Sequence, residues 1–275
     1  MKGQTLLLRC TILFGIAGFL MIPSIQAQTC RDSDYHGVFS ALVVGEFIQP
    51  PPGLPPGPNA RLGRVEADGH GNASIHAILS LDGFIFPEDY QGIYSVNPDC
   101  TMDVTLFVRF PGFPQPFPLQ WSGMLVDQFR EVSLLLVNPP GTTFGISLQK
   151  QPKNMCTNND LKGSYGLAMR GSSIFAPGIP PGPAARVGKV TFDGSGSFTS
   201  SINASYDGTI TQEEASGTYS VDSNCLFTMS YVLRDSNGTD QSYQLTGMLK
   251  DNSRGADLIQ NEPQGMVITG TLTKK

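Results

Sequence analysis

The chain contains two copies of one unit of about 125 residues, and this duplication constrains its fold more than any other feature. Residues Pro52 to Asn72 align without gaps to Pro177 to Ser197, with 13 identities in 21 positions. A repeat of this length has the size of a whole small domain rather than of a solenoid unit. We therefore predict two tandem domains, residues 28–150 and 151–275, after an N-terminal segment of 27 residues.

Each copy consists of short runs of alternating apolar and polar residues separated by turn residues, which is typical of an all-β domain. Eight such runs occur per copy. In the first copy we place the fourth at Gly92 to Val96 and assign Leu81 to Gln91 to a loop. Consecutive hairpin-joined strands can form a sandwich or close into a barrel, and closure removes both sheet edges. We favour the barrel, which predicts an all-β chain of two tandem eight-stranded antiparallel up-and-down β-barrels.

The first 27 residues have the pattern of a secretion signal. Lys2 and Arg9 precede an apolar run from Cys10 to Ile22, which is too short to span a bilayer, and Ala27 suits the cleavage site. Removing this segment leaves 16 basic and 23 acidic residues, a net charge of −7. Such a charge disfavours nucleic acid as a partner. We expect a secreted chain, extracellular or periplasmic, with no membrane span after cleavage.

Four cysteines remain once Cys10 is removed, and an exported chain is expected to use them in disulfides. Four cysteines allow three pairings. Each copy carries one pair at matching positions, so we predict Cys30 to Cys100 and Cys156 to Cys225. In a barrel these bridges require the segment before the first strand to cross the floor.

Two short motifs resemble known families. Gly37-Val38-Phe39 and Gly163-Ser164-Tyr165 resemble the Gly-x-aromatic start of a lipocalin first strand, with Phe or Tyr where lipocalins have Trp. This likeness implies a calycin-type barrel, as in lipocalins and avidins. The Gly-x-Tyr-Ser-Val motif, followed four residues later by Cys, resembles uncharacterised secreted bacterial β-repeat proteins. That second likeness covers nearly the whole mature chain and implies no activity.

Apolar residues concentrate in the joints after strands one, three, five and seven of the first copy, which share one end of a barrel. Loops are usually polar, so this concentration indicates either a ligand mouth or a partner surface. The alternative is that these side chains cap the core or bury a contact between the domains. The candidate ligand-binding residues at this end are Phe47, Leu54, Phe84, Phe86, Phe113 and Phe117.

Arg61 and Arg186 follow the shared proline-rich loop and by alternation share a side with Val65 and Val190. An inward arginine at a barrel mouth can bind a ligand carboxylate through a bidentate pair of hydrogen bonds. It can also act as a structural cap across the barrel end, and this second interpretation is the stronger one. Both arginines remain candidate ligand-binding residues.

No motif in the chain predicts catalysis, a metal site or a cofactor. The histidines, His36, His70 and His76, lack zinc-site spacing. We assign the carboxylate pairs Glu88-Asp89 and Glu213-Glu214 to loops without partners. The sequence therefore predicts no catalytic residue, no metal and no cofactor.

The leading hypothesis is a secreted non-enzymatic binding protein that holds a small apolar ligand at the open end of the first copy. The alternative is a cell-envelope or extracellular-matrix module whose filled barrels are spacers and whose proline-rich loops contact another protein. A cofactor-free barrel enzyme comes third. A cavity of about 300 Å³ or more favours the first hypothesis, and an interior packed throughout favours the second.

Overall fold

The computed structural model contains two closed, eight-stranded antiparallel barrels, which confirms the all-β tandem architecture. The structure describes residues 29–50, 52–109, 115–151, 155–234, 240–250 and 253–275. The predicted signal segment lies outside these ranges and stays a prediction. Within them, no helix has the length and hydropathy needed to cross a membrane.

Every strand pairs with its neighbours in sequence, and the first and last strands of each barrel pair to close it. Barrel one consists of β1 (His36–Phe47), β2 (Gly57–Asp68), β3 (Asn72–Leu81), β4 (Phe84–Val96), β5 (Thr101–Val108), β6 (Phe117–Val126), β7 (Glu131–Asn138) and β8 (Gly145–Lys150). Barrel two consists of β9 (Gly163–Ser173), β10 (Gly182–Phe192), β11 (Ser197–Tyr206), β12 (Thr209–Val221), β13 (Leu226–Arg234), β14 (Asp240–Lys250), β15 (Gly255–Glu262) and β16 (Met266–Lys274).

The predicted loop from Leu81 to Gln91 is wrong. β4 begins at Phe84, and only Asp82 and Gly83 separate it from β3. Both turn residues have positive φ, 49° and 82°, as a type I′ hairpin requires. Aspartate and glycine tolerate this conformation, so the chain reverses in two residues and the fourth strand extends to the barrel rim.

One end of each barrel, called the closed end, carries a disulfide. The turns β2–β3 and β4–β5 lie at this end of barrel one, and the turns β10–β11 and β12–β13 lie at this end of barrel two. The bonds Cys30–Cys100 and Cys156–Cys225 confirm the predicted pairing. In barrel one the segment after Cys30 buries Tyr35 in the core, and the Tyr94 hydroxyl donates to the Tyr35 carbonyl at 2.8 Å. This segment therefore fills the barrel floor, and the opposite end is called the open end below.

The two barrels pack against each other through the outer faces of their strands. Ala60 and Leu62 of β2 form one buried cluster with Met248, Ile259 and Val267 of barrel two. The outer face of β1 and β2 thus contacts the outer face of β14, β15 and β16.

A buried polar contact lies in the same interface. Asp257 is 2% exposed, accepts a hydrogen bond from the Ser40 hydroxyl at 3.0 Å, and pairs with Lys250 at 2.5 Å. At one edge the Gly265 amide donates to the Gly83 carbonyl at 2.9 Å. A Cβ on Gly83 would lie 2.5 Å from the Gly265 Cα, so the two turns meet backbone to backbone.

Candidate functional site

Barrel one encloses a cavity of about 40 Å³ between its two ends. The wall is apolar and includes several small side chains, so the strands leave space that larger residues would fill. Arg61 borders it toward the open end, and Tyr35 and Tyr94 belong to the floor. The lining residues are Tyr35, Ala41, Val43, Arg61, Gly63, Val65, Ala73, Ile75, Ala77, Tyr90, Tyr94, Val104, Leu106, Leu134, Ile146 and Leu148.

A buried polar layer lies at the open-end side of this cavity. Arg61 Nε donates to Glu88 Oε2 at 2.9 Å, and Arg61 Nη1 donates to Asn59 Oδ1 at 2.9 Å. Glu88 lies on β4 opposite Ala77, whose side chain lines the cavity. The assignment of Glu88 to a loop without a partner is therefore wrong.

In this layer Glu88 Oε1 and Asn59 Nδ2 are buried without a hydrogen-bond partner among the described residues. Asn59 is 0% and Glu88 is 7% exposed. A buried polar atom without a partner destabilises a fold by about 1–3 kcal/mol, so a donor and an acceptor arriving here would both be stabilised.

Barrel two has the same arginine and glutamate with a different set of neighbours. Arg186 donates from Nε to the Tyr206 hydroxyl at 2.8 Å, and from Nη1 to the Tyr231 hydroxyl at 3.2 Å and to Gln260 Oε1 at 3.1 Å. Tyr206 in turn donates to Glu213 Oε1 at 2.8 Å. The assignment of Glu213 to a loop without a partner is therefore also wrong, since it lies on β12.

The tyrosines around Arg186 remain neutral. Burial raises the pKa of Tyr231 to about 12, above the ordinary value for tyrosine. The guanidinium also lies 4.6 Å from the centre of the Tyr243 ring, within cation–π range. Barrel two thus satisfies its buried arginine with its own side chains.

Strand register shows why the two barrels differ. The positions of Tyr206, Tyr231, Tyr243 and Gln260 are taken in barrel one by leucines, which cannot hydrogen-bond to the polar layer. The four leucines are Leu81, Leu106, Leu119 and Leu136. The cavity also follows from a difference in side-chain size. Ala73 lies opposite Gly92 in barrel one, whereas the large side chain of Phe198 lies opposite Gly217 at the same place in barrel two.

Most predicted rim residues pack onto the barrel-one core. Phe47 is buried against Phe144, with ring centres 5.0 Å apart, and Leu54 of the proline-rich loop is also buried. Phe86 and Phe117 are partly buried and pack on the same cluster. These four side chains narrow the open end.

One further rim candidate lies outside this group. Phe84 contacts Phe175 of barrel two, with ring centres 5.0 Å apart, so it belongs to the contact between the barrels. Phe113 lies outside the described residues. The structure therefore brings together Arg61, Phe47, Leu54, Phe86 and Phe117 at the open end of barrel one, and Arg186 occupies the corresponding layer of barrel two.

Comparison with known proteins adds little to this description. No family model matches the chain, and no curated protein matches it. Among solved structures, a protein of unknown function from the DUF3598 family of Nostoc punctiforme is 12% identical over 90% of this chain and 99% of that chain. The TM-score is 0.23, which is too low to carry an argument about the fold or the site.

Sequence reasoning missed Glu88 and Glu213, although a signal was present. Each lies 27 residues after the inward arginine of its copy, and both copies keep the Arg and the Glu while much around them changes. A retained pair of opposite charges on inward positions indicates a buried ion pair. The tyrosines that complete the barrel-two layer carry no comparable signal, because their counterparts are leucines.

Proposed function

We propose that this chain is an exported, non-enzymatic binding protein in which barrel one holds a small ligand and barrel two is its packed support. The site lies between the Arg61–Glu88 layer and the floor formed by Tyr35 and Tyr94. The observation that carries the proposal is the contrast between the copies. Barrel two surrounds its Arg186–Glu213 pair with tyrosine hydroxyls and Gln260, whereas barrel one has leucines there, a cavity, and the unpartnered atoms Glu88 Oε1 and Asn59 Nδ2.

The polar layer favours a neutral ligand group over a carboxylate. Glu88 already pairs with Arg61, so a second carboxylate would meet a buried charge of its own sign. Glu88 Oε1 needs a donor and Asn59 Nδ2 needs an acceptor. A hydroxyl or a primary amide provides both from one small group.

The cavity limits the ligand to a few atoms. One water needs about 10–15 Å³ of such space, so 40 Å³ accommodates three or four heavy atoms. A four-atom ligand gains at most about 6 kcal/mol, which corresponds to a Kd of about 40 µM at best. The ligand class is a short-chain alcohol or amide, with its carbons against Ala73 and Ala77.

The alternative function, a matrix or envelope interaction module with filled barrels, has one observation in its favour. The cavity is far below the roughly 300 Å³ typical of small-molecule pockets. In that case the ligand-sized space holds only water, and the exposed proline-rich loops contact the partner. The calycin relationship and export are further proposals, supported by the barrel closure and by the two disulfides.

The test is an NMR titration of the mature protein with 1-propanol, acetamide and acetate, each of four heavy atoms. We expect saturable shifts at barrel-one core resonances with the alcohol and the amide, and none with the carboxylate. Ala73→Phe, which copies barrel two, should abolish those shifts, while Phe198→Leu, at the matching position of barrel two, should leave them. Dispersed spectra of both variants establish that they fold.

The titration itself decides between the functions, because a ligand that binds no more tightly than about 40 µM is lost during purification. Probe shifts that do not saturate, or that persist in Ala73→Phe, would overturn ligand binding in barrel one and support the interaction module.

A further inference from the structure

The contact between the barrels joins two unlike faces. Face A is the outer side of β1 and β2, with Leu42, Ala60 and Leu62 at its centre. Face B is the outer side of β14, β15 and β16, with Met248, Ile259 and Val267 at its centre; all six except the partly buried Leu42 are fully buried. Because the barrels are copies, barrel two has its own counterpart of face A and barrel one its own counterpart of face B.

The counterpart of face A on barrel two is apolar and exposed. Strand register places Ala168, Ala185 and Val187 at the positions of Leu42, Ala60 and Leu62, since Val187 pairs with Ala168 as Leu62 pairs with Leu42. Val187 is 59% exposed, and both alanines are exposed. None of the described residues covers this surface.

The counterpart of face B on barrel one is also exposed. Met124, Leu135 and Thr143 take the positions of Met248, Ile259 and Val267, and the bulge near the start of β6 recurs in β14. Met124 is 45% and Leu135 is 58% exposed. Large apolar side chains at the position of an existing interface indicate a surface that accepts the same partner.

We propose that a second copy of this chain docks in the same way, with face A of its barrel two on face B of barrel one of its neighbour. The contact is heterologous, because it joins unlike faces, and such contacts generate open chains or rings. The result is a row of barrels in which every junction repeats the internal one. This proposal is independent of ligand binding.

Charge at the edge of the junction is compatible with this docking. In the internal contact, Arg64 of face A interacts electrostatically with Asp222 in the turn between β12 and β13. Its counterpart in barrel two is Lys189, while Asn97 takes the position of Asp222 and Asp99 lies two residues further along that turn of barrel one. The second junction therefore keeps a cation on one face and a carboxylate in the turn beside the other, at a shifted position.

The junction between chains is weaker than the internal one. Ser40, Asp257 and Lys250 correspond to Gly166, Ser133 and Val126, so the buried ion pair is missing from the second junction. The internal junction also benefits from the high effective concentration of tethered domains. Association should accordingly depend on protein concentration.

Sedimentation velocity of the mature protein from 10 µM to 1 mM tests the proposal. We expect a weight-average mass that rises past two copies. Leu135→Glu and Val187→Glu should each lower the apparent association constant at least tenfold, while Ile210→Glu, exposed on β12 away from both faces, should not.

Mixing the two variants gives the sharpest outcome. Leu135→Glu keeps face A of barrel two and Val187→Glu keeps face B of barrel one, so an equimolar mixture should form dimers of one copy of each and stop there. A wild-type monomer at 1 mM, a species that stops at a symmetric dimer, or a mixture that stays monomeric would each overturn the proposal.

Discussion

Asp68 shows how a single side chain can organise a turn at the closed end. One of its oxygens accepts the amides of His70 and Asn72 at 2.7 and 3.0 Å, and the other accepts Asn72 Nδ2 at 2.8 Å. These hydrogen bonds favour the carboxylate and lower the pKa of Asp68 to about 2. Asp193 holds the matching turn of barrel two in the same way, and its pKa is also lowered.

This arrangement predicts a specific acid response. Because the pKa of Asp68 is lower in the folded than in the unfolded chain, its contribution to stability is complete above about pH 4 and is lost as pH falls toward 2. Asp68→Asn keeps an acceptor oxygen but does not titrate, so its free energy of unfolding should fall less steeply between pH 4 and 2. Urea unfolding at several pH values measures this slope, with Asp103→Asn on the outer face as control. Equal slopes for Asp68→Asn and wild type would contradict the prediction.

The buried arginines have a structural role that stability measurements can reveal. Arg186→Met leaves the largely buried Glu213 without its counter-charge, and breaking such a pair typically destabilises a fold by about 3–5 kcal/mol. Arg186→Met with Glu213→Gln should recover part of that loss. Urea unfolding of the single and double variants measures the coupling, and additive losses would show that the pair is not coupled.

At the residue scale, alternation alone predicted the inward direction of Arg61 and Arg186, because side chains on a strand point to opposite faces in turn. What alternation could not predict is the neighbour across the barrel. Arg61 lies on β2 and Glu88 on β4, two strands apart, and their contact depends on register and on barrel curvature. Sequence spacing predicts neither the register nor the curvature when the lengths of the strands are unknown.

At the scale of elements, the hairpin joints decided which strands were predicted correctly. Asp68-Gly69 was identified as a turn because alternating runs flank it on both sides. Asp82-Gly83 was not, because the residues after it are three apolar residues and a proline, Phe84 to Pro87, rather than an alternating run. Pro87 lies within β4 even so, opposite Ile78.

The cysteines were the most reliable long-range signal. One pair per copy at matching positions predicted both bridges, and each bridge brings together residues about 70 apart in sequence. A disulfide that closes a loop of this length raises the free energy of unfolding by roughly 4 kcal/mol in the chain-entropy model. The sequence carries no such signal for the contact between the barrels, because its apolar residues follow the alternating pattern found in any half-buried strand.

At the scale of the whole molecule, the interface couples the stability of two barrels that are each closed. It buries an apolar cluster and the Asp257–Lys250 pair, so unfolding either barrel alone would expose both to water. Asp257 is only 2% exposed, and its burial raises its pKa despite its partner Lys250. We therefore expect the wild-type chain to unfold in one cooperative transition.

Leu62→Glu should divide that transition into two. Leu62 is 1% exposed at the centre of the interface, so a glutamate there must either be buried unpaired or separate the barrels. Separation is favoured because each barrel has its own core and its own disulfide. Scanning calorimetry at low protein concentration, where chains do not associate, should show a calorimetric enthalpy equal to the van't Hoff value for wild type and larger for Leu62→Glu. Val187→Glu is the control, because it makes the same change at the matching, exposed position of barrel two; it should leave a single transition. A single transition for Leu62→Glu would mean that the barrels are coupled by something other than this face.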